Sequence, residues 1–302
     1  MAVSEKPGTN AVRARPPHNA FAASILSPSI IISAAVTLGL LETVWKPVVE
    51  NFKFERLTLL HEPKYPIIAT LGYVLMLIFL PMVMKNRQPL NLKWVMVIHN
   101  WILSTGSLVM TIGMLKEVAL YALKNPQWVH LTCDPNYTHR ASTNLFFWYY
   151  IFYLSKMYEF IDTAILILRK KNVIFLHWYH HIITLWLCWV CLDVDLGIQW
   201  FSSASNTLVH VFMYYFYASQ TLNIQVSWKK HLTTLQIVQF VLGISSNLSW
   251  AYFTIIKGIT CSGNWFSFWF GKFVLVSFLV LFIQFYRRSY KKKPVAAATK
   301  TN

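Results

Sequence analysis

The chain has 302 residues, of which 56% are hydrophobic and 13% charged, and its formal net charge is +16. A soluble domain carries about 25% charged residues, so this composition excludes an ordinary soluble domain and indicates a membrane protein. The positive charge lies in short segments between apolar runs, where membrane topology accounts for it, and nucleic acid is therefore not an expected partner.

The apolar runs predict an all-α protein that crosses the membrane seven times. Each run is long enough to span about 30 Å of hydrocarbon at about 1.5 Å per residue. The seven runs are residues 66–84, 94–115, 144–168, 173–192, 198–220, 231–256 and 266–286. An eighth run, 20–45, contains Pro28 and Glu42, which favours an interfacial helix over a further membrane span.

These runs divide the chain into three predicted parts. Residues 1–60 form an N-terminal extension that carries the interfacial helix, and residues 61–288 form the seven-helix domain. Residues 289–302 are basic and then rich in Ala and Thr, which predicts a disordered tail.

The basic residues predict the orientation of the chain. They concentrate in alternate loops, which the positive-inside rule assigns to the cytosol. These are Lys85, Arg87 and Lys93; Arg169, Lys170 and Lys171; Lys229, Lys230 and His231; and Arg287, Arg288 and Lys291 to Lys293. The C-terminus is therefore expected in the cytosol. Cys133 and Cys261 both fall in loops on the luminal side, where disulfides persist, and are predicted to pair.

Several predicted spans contain ionisable residues, which are costly in a membrane and usually functional. The fourth run begins with His177, His180 and His181, which share one face of a helix. The third run carries Lys156, Glu159 and Asp162 at three-residue intervals, a spacing that permits internal ion pairs. Further polar residues in the spans are His99, Asn100, Asn206, His210, Tyr214, Gln236 and Gln239.

The depth of these polar residues predicts a single site. Counted from the basic loops, most of them lie in the cytosolic half of the membrane, about 5–15 Å deep. This distribution indicates one buried pocket that opens to the cytosol. For a single residue such as His99, a hydrogen bond between helices is an equal alternative, and a purely structural role is equally open for the Lys156 row.

A histidine cluster in a membrane suits two chemistries. Imidazole is a common metal ligand, which would indicate a di-iron oxygenase, but such an enzyme needs more histidine boxes than the one found here. Imidazole is also a nucleophile and a base near neutral pH, which would indicate acyl transfer in a dry site. A receptor or transporter is a third alternative, although no internal repeat is visible.

Four ordered blocks resemble the ELO family of very-long-chain fatty acid elongases, the 3-ketoacyl-CoA synthases. The blocks are residues 156–163 (KMYEFIDT), 177–181 (HWYHH), 206–214 (NTLVHVFMY) and 233–240 (TTLQIVQF). The resemblance extends over about residues 60 to 290, with each block in the expected span.

The resemblance implies a seven-helix barrel around a narrow acyl tunnel that is closed at the lumen and open to the cytosol. The implied enzyme is an acyltransferase of the endoplasmic reticulum membrane. It would condense a long-chain acyl-CoA with malonyl-CoA to give 3-ketoacyl-CoA, CO2 and CoA, with no metal or other cofactor. The membrane di-iron oxygenase or desaturase remains the alternative.

The resemblance also implies roles for individual residues. His180 would be the nucleophile that forms an acyl-histidine, His210 its partner, and His177 and His181 the residues that orient them. The expected substrate-binding residues are Lys156, Glu159, Asp162, Asn206, Tyr214, Gln236, Gln239 and His99, and the lysines expected to attract the CoA phosphates are Lys170, Lys171, Lys229 and Lys230. The expected partners are the bilayer, the two CoA esters and the reductases and dehydratase of the elongation cycle, with a homodimer left open.

Overall fold

The computed structural model describes residues 35–36, 39, 41–54 and 58–290. All regular secondary structure in this part of the chain is helical, which confirms the predicted all-α class. Most of the predicted interfacial helix at 20–45, and residues 291–302 of the predicted tail, lie outside the described residues.

Eight longer helices build the fold of the described residues. They are α1 (Lys64–Met84), α2 (Lys93–Lys124), α3 (Leu145–Tyr158), α4 (Phe160–Leu168), α5 (Phe175–Asp193), α6 (Gln199–Thr221), α7 (Lys229–Ala251) and α8 (Trp265–Tyr290). Shorter α-helices lie at Lys46–Asn51, Trp128–Thr132 and Thr138–Ser142, a 3₁₀-helix at Pro135–Tyr137, and π-helices at Leu41–Trp45 and Tyr252–Ile256.

Four of these helices, α1, α2, α5 and α8, are long and apolar enough to cross a membrane, judged over the described residues. They coincide with four of the predicted runs and make the chain a multi-pass membrane protein. The other three predicted runs also coincide with helices, but they differ in character. The third run is divided into α3 and α4, whereas α6 and α7 carry many Ser, Thr, Asn and Gln side chains.

The division between α3 and α4 falls at Glu159, inside the ionisable row. The amide of Asp162 donates a hydrogen bond to the carbonyl of Glu159 at 3.0 Å, which is the i to i+3 spacing of a 3₁₀ turn. Neither Pro nor Gly occurs between Ser155 and Thr163. The tighter turn therefore arises where charged side chains are buried rather than at a residue that breaks helices.

The helices contact one another in a closed succession. Helix α2 packs on α3, α3 on α5, α5 on α8, α8 on α7, α7 on α6, and α6 on α2. Helix α1 packs on α4 and α5, and it exposes an apolar face that includes Leu71, Leu75 and Phe79. An exposed apolar face on a long helix suits contact with lipid.

Two of the loops predicted on the cytosolic side lie against each other. The amide of Leu90, between α1 and α2, donates to the carbonyl of Leu168 at 3.0 Å. The ammonium of Lys170 donates to the carbonyl of Lys85 at 3.0 Å. The two basic loops therefore occupy the same end of the helix bundle.

The opposite end is joined by a disulfide between Cys133 and Cys261. Cys133 belongs to the connection between α2 and α3, and Cys261 belongs to the connection between α7 and α8. The amide of Ser262 also donates to the carbonyl of Cys133 at 2.8 Å, and the Trp250 indole donates to the carbonyl of Ser262 at 2.8 Å. Two distant connections are thereby held in one cluster.

Candidate active site

The three histidines at the start of α5 lie together, as their spacing predicts. Helix α5 begins at Phe175, after Ile174 in an extended conformation, so the histidines occupy its first two turns. The ring centroids of His177 and His181 are 4.5 Å apart, and those of His180 and His181 are 5.7 Å apart.

His180 faces His210, which lies on α6. Their ring centroids are 6.5 Å apart, and the Phe278 ring of α8 lies 5.0 Å from the His180 ring. Within the described residues, Nδ1 of His180 is buried and has no hydrogen-bond partner. Two imidazoles from different helices therefore meet beside an apolar wall.

A buried ion pair lies next to these imidazoles. Nζ of Lys156 donates to Oε1 of Glu159 at 2.7 Å, and both side chains are 2% exposed. Nζ of Lys156 also donates to Oδ1 of Asn206 at 3.1 Å, and Nδ1 of His210 lies 3.6 Å from Oε1 of Glu159. The predicted ion pairing within the third run is confirmed for Lys156 and Glu159.

Asp162 binds two polar side chains from other helices. Nε2 of His99 lies 2.7 Å from Oδ1 of Asp162, and the hydroxyl of Tyr214 donates to Oδ2 at 2.8 Å. Because the carboxylate accepts, Nε2 of His99 is the donor, and Nδ1 can accept from the Tyr158 hydroxyl at 3.3 Å. Helices α2, α4 and α6 therefore converge on one carboxylate.

The contacts between the third run and α6 follow a regular register. Lys156, Glu159 and Asp162 face Asn206, His210 and Tyr214 in the same order. Spacings of three residues on one side and four on the other keep each set on one helix face. The hydrogen-bonding groups of these six residues are thus largely engaged with one another, and a direct contact with substrate stays a prediction for each.

His177 has a separate set of partners. Its Nε2 lies 2.8 Å from the Thr163 hydroxyl, which in turn lies 2.8 Å from the hydroxyl of Tyr73 on α1. The Tyr73 ring also lies 6.0 Å from the His181 ring. Tyr73 is not among the predicted site residues, although a tyrosine near the middle of the apolar α1 is a signal that could have identified it.

The remaining predicted residues lie on α7 or near the ends of helices. Gln236 on α7 donates to the sulfur of Met213 at 3.6 Å, and Gln239 is buried in the same helix. Lys170, Lys171, Lys229 and Lys230 are exposed near the ends of α4 and α7. The structure therefore brings together the histidines, the ionisable row and the α6 residues, while the lysines lie at the surface.

Among the described residues, one group of side chains offers atoms that could bind a metal ion. Glu159, His180 and His210 each contribute one such atom, and these atoms lie within 4.8 Å of one another. Two imidazoles and a carboxylate are a donor set found in transition-metal sites. The same carboxylate, however, already accepts from the Lys156 ammonium.

Comparison with known proteins places this architecture in a family. The model of the ELO family (GNS1/SUR4 family) matches residues 58–298. Fatty acid elongase A of Dictyostelium discoideum is 42% identical over 232 residues, which cover 76% of this chain and 84% of that protein. Putative fatty acid elongase 1 of Schizosaccharomyces pombe is 35% identical, covering 75% and 69% of the two chains. Long chain fatty acid elongase 2 of Caenorhabditis elegans is 32% identical, covering 77% and 84%. The chain therefore belongs to the ELO (GNS1/SUR4) family.

Proposed function

We propose that this protein is the condensing enzyme of fatty acid elongation, a very-long-chain 3-oxoacyl-CoA synthase. The observation that carries the proposal is the meeting of His180 and His210 in a buried site beside the Lys156–Glu159 ion pair. Similarity to elongases supports the metabolic process, and the paired imidazoles support the chemistry, because imidazole can act as both nucleophile and base near neutral pH.

In the first half-reaction, a ring nitrogen of His180 attacks the thioester carbonyl of the acyl-CoA. The new C–N bond replaces the C–S bond, and CoA leaves as a thiolate. The proton lost from the acylated imidazole passes through His210 to that thiolate. Burial of the site protects the acyl-histidine from hydrolysis.

In the second half-reaction, malonyl-CoA loses CO2 and leaves a carbanion at its α-carbon. This carbanion attacks the acyl carbonyl, the C–N bond breaks, and 3-ketoacyl-CoA is released. The departing imidazole nitrogen takes up one proton from solvent through His210, which restores His180. Decarboxylation supplies the electron pair, so no strong base is required. The Lys156–Glu159 pair and the Asp162 contacts hold α6 in register and thereby hold His210 opposite His180.

The proposed membrane arrangement is a seven-helix barrel with an acyl tunnel. In addition to the four apolar helices, α6, α7 and the α3–α4 pair would cross the membrane, since the helix contacts form a closed succession. The end with the two basic loops faces the cytosol, where CoA esters enter near Lys170, Lys171, Lys229 and Lys230. The end with the disulfide faces the lumen of the endoplasmic reticulum.

The 3-ketoacyl-CoA product implies further enzymes that act on it. A 3-ketoacyl chain must be reduced, dehydrated and reduced again before another round of elongation can begin. We therefore propose that reductases and a dehydratase act on the released product. The proposed reaction uses acyl-CoA and malonyl-CoA as substrates and requires no metal or cofactor.

The test is to incubate the purified protein with a long-chain acyl-CoA alone and to measure intact mass and released CoA. We expect an added acyl mass with about one CoA released per chain. His180→Ala should abolish both signals. His231→Ala is the matched control, since His231 is an exposed histidine at the start of α7, and it should retain them.

Other outcomes would contradict parts of the proposal. Product formation only when both substrates are present, with no adduct beforehand, would replace the covalent route by direct condensation. Absence of condensation product from correctly folded protein would reject the synthase, and copurification of about two iron atoms per chain would then favour the di-iron oxygenase.

A further inference from the structure

The centre of the site contains the elements of a transition-metal site. Glu159 lies at the break between α3 and α4, His180 on α5 and His210 on α6, and their ligand atoms lie within 4.8 Å of one another. Among the described residues, Oε2 of Glu159 and Nδ1 of His180 are buried without hydrogen-bond partners. Two imidazoles and one carboxylate suit divalent ions such as Zn²⁺ and Co²⁺.

A lysine ammonium already pairs with the carboxylate of this group. Nζ of Lys156 lies 2.7 Å from Oε1 of Glu159 and 3.1 Å from Oδ1 of Asn206, and the Lys156 side chain is 2% exposed. The ammonium also lies 4.4 Å from the centroid of the Phe152 ring. Its position is therefore fixed from three sides.

This ammonium opposes metal binding in two ways. It neutralises the only carboxylate of the donor set, which removes the main attraction for a divalent ion. It also places a positive charge within a few ångströms of the incoming ion, in a site where water cannot screen the repulsion well.

We propose that Glu159, His180 and His210 form a latent site for a divalent transition metal, which the ammonium of Lys156 keeps free of metal. Removal of the lysine charge converts the three side chains into a working metal site. The metal site itself does not depend on the proposed condensation activity. One consequence does rest on that activity: keeping metal out leaves the imidazole lone pairs of His180 and His210 free for acyl transfer.

The test is a titration of tag-free, detergent-solubilised Lys156→Met with Co²⁺, followed by the visible absorption of the bound ion. We expect one Co²⁺ per chain, bound at least about 100-fold more tightly than by the wild type. Lys156→Arg keeps the charge and should resemble the wild type. Lys156→Met combined with His180→Ala removes one ligand and should lose the absorption band.

The proposal is wrong if the wild type and Lys156→Met bind Co²⁺ equally well, or if folded Lys156→Met binds none. Lys156→Met leaves the Glu159 carboxylate unpaired and can fail to fold without the ion, in which case Zn²⁺ or Co²⁺ should restore folding. Lys156→Gln serves as a second neutral variant. Failure of both variants to fold even with the ion also contradicts the proposal, because the ion should replace the lost charge.

The spectrum separates this idea from the proposed function. Tight Co²⁺ binding by Lys156→Met supports the latent site even in a protein that forms no acyl adduct. Conversely, an acyl adduct on the wild type with no metal binding by either neutral variant leaves the condensing enzyme in place and rejects the latent site.

Discussion

At the scale of single residues, Lys156 and Glu159 form an ion pair that is almost completely shielded from solvent. Both side chains are 2% exposed, and each charge removed from water alone would cost several kcal/mol. Their mutual contact and the Asn206 amide offset this cost. The two charges therefore depend on each other, because either one alone would be buried without a partner of opposite charge.

We expect substitutions of Lys156 and Glu159 to have strongly non-additive effects on the free energy of unfolding. Lys156→Met and Glu159→Gln should each lower the free energy of unfolding by about 3–5 kcal/mol, because each leaves an uncompensated buried charge. The double variant should lose much less than the sum, since both charges are then gone. The measurement is thermal unfolding of the solubilised protein with a chelator present, and additive losses would contradict the coupling.

The spacing of ionisable residues in the sequence predicts part of the site. The three-residue interval permits ion pairs within the row, one of which forms between Lys156 and Glu159, and the HxxHH pattern predicts a shared face for His177 and His181. The partners across helices, such as Tyr214 for Asp162, could not be predicted, because periodicity within one helix carries no information on which helix lies beside it.

At the scale of elements, the packing of α2 on α3 depends on one close approach. The Trp148 indole of α3 lies directly over Gly113 of α2, and a Cβ built on Gly113 would overlap the indole ring. Trp148 is 3% exposed and belongs to the main apolar core. Position 113 therefore requires glycine because the Trp148 ring leaves no room for a side chain, and not because of the backbone conformation.

Gly113→Ala should lower the free energy of unfolding by about 1–3 kcal/mol, because the added methyl group must displace the indole or separate the helices. Gly106→Ala is the matched control in the same helix, since no atom lies within 4 Å of its added Cβ. Alanine also favours helix there by roughly 0.5–1 kcal/mol. Thermal unfolding of both variants checks the contrast, and equal behaviour would contradict it.

The positions of the helices are largely predictable from the sequence, whereas the division of the third run into α3 and α4 is not. Apolar runs located α1, α2, α5 and α8 because lipid contact demands long uninterrupted apolar segments. No Pro or Gly lies near Glu159 to indicate from the sequence that the helix is divided there. It reflects the demand of buried charges for particular partners, which outweighs local helix preference.

At the scale of the whole molecule, the disulfide joins two of the connections at one end of the helix succession. Cys133 follows α2 and Cys261 precedes α8, and 128 residues separate them in sequence. Both cysteines are buried, together with Trp250 and Phe268. The bond therefore fixes the ends of helices that are far apart in the chain.

Removal of this bond should destabilise the whole fold. We expect Cys133→Ala with Cys261→Ala to lower the free energy of unfolding by about 2–5 kcal/mol, because the unfolded chain regains the freedom that the bond had removed. Cys188→Ala is the matched control, since Cys188 is a free cysteine on α5. Equal melting temperatures for the wild type and the double variant would show that packing alone holds this end.

The same bond also orders events during biosynthesis. Helices α3 to α7 all lie between its two cysteines, so the bond can close only after this whole stretch has been synthesised. A nascent chain that stops before residue 261 therefore carries an unpaired Cys133. Closure of the bond therefore marks a chain whose synthesis has passed residue 261, just before α8, which packs on α5 and α7.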